Sequence, residues 1–116
     1  MSKIGTTVRI PVTSHSEARA KLANALVGMN AKVSADAGST LTLKRGSQTK
    51  MRLLGGAFIK DVDLPVLATV VFEPSTPNEI HVAVIEHVVV GSVIGMGDKY
   101  QRACTDFARR IAEAVQ

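Results

Sequence analysis

Apolar residues alternate with polar ones along most of the chain, and the spacing lengthens to that of a helix in only two stretches. In "VRIPV" (8–12) Val8, Ile10 and Val12 fall on one side, the two-residue repeat of a half-buried strand. Pro11 withholds a ladder donor, so an edge position is expected. "SHSE" follows, with Ser14 spaced to accept from the amide of Glu17, and Ala18, Leu22, Ala25, Leu26 and Met29 then form one apolar stripe. This predicts a helix over 15–27, with Gly28 as its stop. "AKVSADA" (31–37) returns to strand alternation. "LTLKRGSQTKMRLLGG" (41–56) reads as a hairpin with Leu41, Leu43, Met51 and Leu53 inward and Thr42, Lys44, Lys50 and Arg52 outward.

The two most β-branched segments, "LPVLATVVFEP" and "NEIHVAVIEHVVV", flank the turn-forming "PSTPN" and are expected at the sheet centre. In the second, the bulkier row of Ile80, Val82, Val84, Glu86, Val88 and Val90 is taken as inward. After the glycine-rich "GSVIGMG", Tyr100, Ala103, Cys104, Phe107, Ala108, Ile111 and Val115 make one continuous helical face, and Asp98 suits the helix start. At ~1.5 Å per residue that helix is on the order of 27 Å long, enough to lie across a small sheet. The expected class is α+β: about six antiparallel strands in the order β-α-β-β-β-β-β-α, curved around the C-terminal helix. A split βαββαβ fold would need another strand after the second helix, and none is predicted.

In this element order the chain resembles the helix-grip folds of the START and pollen-allergen-like superfamily of carriers, cyclases and lipid-transfer domains. The resemblance implies an apolar cavity between the sheet and the last helix. Val70, Phe72, Val84, Tyr100 and Phe107 are the expected lining, and Glu86, a carboxylate in an otherwise apolar row, is the expected polar anchor.

Composition narrows the classes. A chain of 116 residues is expected to form one domain, 1–116, able to remove roughly 65% of its unfolded surface from water without disulfides or metal. No apolar stretch approaches the ~20 residues that span a bilayer, and the first residues lack a secretory segment, so a cytoplasmic location is expected. The net charge of +4 is unevenly placed: residues 37–60 hold Lys44, Arg45, Lys50, Arg52 and Lys60 and no acid. Lys44, Arg45, Lys50 and Arg52 therefore form a second candidate site, for nucleic acid, an anionic membrane surface or an acidic protein. The region has one aromatic residue, Phe58, which argues against stacking of single-stranded bases.

Catalytic signals are weak. Cys104 lies on the apolar stripe, where a thiol packs as a small hydrophobe. Ser14 and His15 are neighbours at a helix start and diverge. His81 and His87 share a strand face but stand about 20 Å apart, and Glu86 points the other way, so no metal set forms. "GSVIGMGDK" fits neither a Walker loop nor a dinucleotide fingerprint. No catalytic residue, metal or cofactor is assigned. The expected protein is a non-enzymatic binder of an apolar or amphipathic small molecule; the alternatives are an anion-binding module and a self-associating subunit.

Overall fold

The computed structural model describes residues 5–46, 66–86 and 97–116; of Glu86 and of 97–100 it describes the backbone only. It is an α+β protein. The elements are β1 (Gly5–Pro11), α1 (His15–Ala25), β2 (Ala31–Asp36), β3 (Thr40–Arg45), β4 (Val66–Val71), β5 (Glu79–Glu86) and α2 (Gly97–Val115). The strands form one open, fully antiparallel sheet in the order β1-β5-β4-β3-β2. Strands β2 to β5 are a meander, and β1 lies beside β5 as the edge strand that Pro11 calls for.

Alternation decides which side of the sheet is wet. Ile80, Val82 and Val84 of β5, Val66, Ala68 and Val70 of β4, and Leu41 and Leu43 of β3 are buried on one face. Helix α2 lies on that face against β1, β5 and β4, contributing Ala103, Cys104, Phe107, Ala108, Ile111 and Val115. Helix α1 packs on α2 with Ala18 and Leu22 buried. Burying a Leu, Ile, Val or Phe side chain contributes about 1.5–3 kcal/mol, so this one layer of aliphatic contacts dominates the stability.

Helix α1 begins as its sequence requires: Ser14, in extended backbone, accepts from the Glu17 amide through Oγ at 3.2 Å. Its end differs from expectation. Asn30, not Gly28, takes the left-handed conformation, with φ 57°. The Ala31 amide donates to Leu26 O and the Asn30 amide to Val27 O, which is the Schellman pattern with Asn30 at the C′ position. Two contacts tie α1 to the sheet. His15 Nε2 lies 2.9 Å from the carbonyl oxygens of both Thr76 and Glu79, so this nitrogen is the donor. Arg19 lies over the Phe72 ring, 4.4 Å from its centroid, and reaches Asp36 and the Gly38 carbonyl.

The hairpin expected over 41–56 is only partly accounted for. Its first arm is β3, but β3 is paired along both edges, by β2 and by β4. The second arm, 50–54, lies outside the described residues, as do the glycines at 55, 56, 91 and 95.

The free edge of β1 is closed by a side chain. The Val12 amide donates to Asn78 O at 2.8 Å, so residues 6, 8, 10 and 12 turn their backbone groups toward β5. Those of Gly5, Thr7, Arg9 and Pro11 face away. At Gly5 both are satisfied by Gln101 of α2, whose Oε1 accepts from Gly5 N at 3.2 Å and whose Nε2 donates to Gly5 O at 2.9 Å. A Cβ at Gly5 would stand 2.5 Å from the Val84 carbonyl oxygen, so this strand end tolerates only glycine. With Pro11 lacking a donor, Thr7 and Arg9 are, among the described residues of β1, the two that offer complete pairing groups at this edge.

Candidate functional site

The apolar residues expected to line a ligand cavity are packed into the core. Val70, Val84 and Phe107 expose none of their surface and Phe72 exposes 5%, so almost no water-sized space adjoins them. Glu86 stands opposite Val66 at the end of β5, and Tyr100 is in the first turn of α2; both side chains lie outside the description. Cys104 is buried, as its place on the apolar stripe implies.

The basic cluster also divides. Lys44 is exposed on the outer face of β3, and Lys50 and Arg52 lie outside the described residues. Arg45 corrects the expectation of a cation open to an external anion, because its side chain is only 1% exposed. It has the parity of Leu41 and Leu43 and therefore points beneath α2. There its Nη1 donates to Asp106 Oδ2 at 2.9 Å and its Nη2 to the Ala103 carbonyl at 3.1 Å, and the guanidinium lies 4.9 Å from the Phe107 ring centroid. Its Nε makes no hydrogen bond among the described residues.

Asp106 was not singled out by the sequence, yet it organises the polar side of α2. Besides Arg45 it accepts from Arg109 Nη2 at 2.6 Å and from Arg110 Nε at 3.0 Å. Partial burial by itself would raise the Asp106 pKa, but the bonds from Arg45, Arg109 and Arg110 prevail and hold it at about 2. A carboxylate so acidic is a poor proton donor or acceptor near neutrality, which suits an anchor rather than an acid–base catalyst. Arg109 also pairs with Glu113 at 3.9 Å, so three guanidinium groups face two carboxylates and the cluster keeps a small positive excess.

Two grooves flank this cluster. The larger, about 560 Å³, is lined among the described residues by Gln101, Arg102, Thr105, Asp106 and Arg109 along the outer face of α2. The second, about 260 Å³, runs between α2 and β1, with Val8, Ile10, Ala108 and Ala112 on its apolar walls. Thr105 and Arg109 belong to both linings, so the two grooves adjoin at these residues. The i,i+3 and i,i+4 spacing of Asp106, Arg109 and Arg110 is legible in the sequence. The link to Arg45, 61 residues away, is made only by the fold. Comparison of the chain with protein families, curated proteins and solved structures yields no match.

Proposed function

We propose that the chain is a non-enzymatic binding protein of helix-grip arrangement whose ligand is a small amphipathic anion, a carboxylate or phosphate monoester carrying an aliphatic tail. The arrangement is supported by the β2 to β5 meander, the return of β1 beside β5, and a C-terminal helix lying on the face that receives the apolar rows. The observation that carries the ligand class is that Thr105 and Arg109 line both grooves, one polar and one largely apolar. An anionic head would meet Arg102 and Arg109, and a tail would lie over Val8, Ile10, Ala108 and Ala112. A few polar groups orienting a mainly apolar body is the usual composition of a small-molecule site. The closed packing of Val70, Val84 and Phe107 favours this flank of α2 over the space beneath it.

Thermal denaturation with octanoate, octyl phosphate and octanol tests the reading. The two anions should raise Tm in a concentration-dependent way and octanol should not, because any ligand that binds only the native state stabilises it by mass action. Arg102→Gln combined with Arg109→Gln should abolish the shift, and Ala112→Glu should reduce it by obstructing the tail. Protection that survives all three substitutions would move the ligand elsewhere, the sheet–helix interior being the first place to look.

A further inference from the structure

The other face of the sheet carries no helix among the described elements, because α1 and α2 both lie on the opposite side. Its middle row is Thr42, Thr69, Ala83 and Thr7, with Leu67, Ile85 and Val71 in the flanking rows and cations toward the corners. Lys32, Lys44, Leu67 and Ile85 stand in one cross-strand row over β2, β3, β4 and β5, and Val71 and Ala83 lie in neighbouring rows among threonines. Ile85 is 44% exposed, and Lys32 and Lys44 are both exposed. Lys32 and Lys44 face each other directly across the β2–β3 ladder, an arrangement of like charges that disfavours the pair in the free protein. Arg9 has the same strand parity at the far corner, on the edge strand β1, where it also borders the groove between α2 and β1. The one described acid whose strand parity puts it on this face, Glu79, is bonded to His81 at 2.8 Å. Among the described residues no acid pairs with Lys32, Lys44 or Arg9.

We infer that this outer face is a docking surface for an acidic amphipathic helix of a partner protein. Charge complementarity selects the occupant. A second copy laid face to face would bring the same cations against these, and a phosphate backbone would bury Leu67, Val71 and Ile85 against polar groups. An amphipathic helix satisfies both features: its apolar stripe covers Leu67, Val71 and Ile85, and its flanking carboxylates lie between Lys32 and Lys44 and near Arg9. The dimensions agree. Lys44 and Arg9 are four residues apart along the strands and three strands apart across the sheet, roughly 19 Å on the diagonal. Acids about 13 residues apart on a helix span that distance.

The test uses the full chain, uniformly labelled with nitrogen-15, and three probes: an 18-residue peptide of Leu and Glu patterned with one apolar face, its counterpart with Lys in place of Glu, and a 20-base-pair DNA duplex. The Leu/Glu peptide should bind saturably, moving the amide signals of Thr42, Lys44, Leu67, Ala83 and Ile85. Lys32→Glu with Lys44→Glu should weaken it at least about tenfold, as should Ile85→Asp, and Arg102→Gln with Arg109→Gln should leave it unchanged. Equal binding of the Lys peptide, tighter binding of the duplex, shifts confined to α2, or no binding at millimolar peptide would each overturn the inference. The Arg102 and Arg109 variants separate it from the small-anion reading, which concerns the opposite side of the sheet.

Discussion

Three guanidinium groups share the Asp106 carboxylate, but only Arg45 is buried, at 1% side-chain exposure against 63% for Arg109 and 42% for Arg110. This asymmetry decides what each substitution does. Asp106→Ala strands a buried cation, and breaking a buried pair from one side costs about 3–5 kcal/mol. Arg45→Met replaces the buried charge by an apolar chain of similar reach and leaves Asp106 with Arg109 and Arg110, so it should cost under about 2 kcal/mol. Urea unfolding of both variants checks the ranking, and a larger loss for Arg45→Met would contradict it. The pH dependence follows from the same carboxylate. Its folded pKa of about 2 lies below the ordinary 3.8, so its stabilisation is fully present above about pH 5 and is lost as pH falls through about 2. Solvent screening of the two outer pairs holds this contribution to on the order of 1 kcal/mol. Acid unfolding of wild type and Asp106→Asn should therefore converge below about pH 2. The burial of Arg45 is legible in the alternation that turns Leu41 and Leu43 inward; counting the cations of 37–60 as one class conceals it.

At the scale of elements, α2 serves both as the cover of the core and as the guard of an exposed edge. Its Gln101 amide stands in for a neighbouring strand at Gly5, and Pro11 withholds a donor at the other end of β1. Gln101→Ala should free the Gly5 backbone groups and expose a longer pairing edge, giving concentration-dependent association by sedimentation velocity where the wild type gives less. An unchanged sedimentation profile would show that Thr7 and Arg9 already limit pairing. The end of α1 offers an independent check: Asn30→Val places a β-branched residue at φ 57° and should destabilise by about 1–2 kcal/mol, whereas Asn30→Gly should be neutral or stabilising. Periodicity identifies both helices, the edge position of β1 and the inward row of β5, because each rests on local spacing. It misplaces the stop of α1 because a glycine at 28 suggests a left-handed position that Asn30 fills. It also reads 41–56 as a hairpin, although β3 pairs with β2 and β4; the choice among strands is made by contacts between distant segments.

For the whole molecule, the sheet divides two chemistries. One side holds the aliphatic core under α1 and α2, with a groove bordered by arginines on the flank of α2; the other, among the described residues, is a threonine-rich surface edged by Lys32 and Lys44. The sequence announces a sheet covered by a long amphipathic helix, and an apolar lining is the natural reading of Val70, Phe72, Val84 and Phe107. Whether such side chains enclose space or fill it depends on how closely the two layers approach, which no single residue encodes. All four are buried, which favours the flank of α2 for the proposed ligand. The most direct measurement is a titration of octyl phosphate into protein labelled at the arginine side chains and the valine methyl groups, followed by nuclear magnetic resonance. Saturable shifts of Arg102 and Arg109, with Arg45 and the methyls of Val70 and Val84 unmoved, are the predicted result. Movement of those methyls with Arg102 and Arg109 unchanged would contradict it.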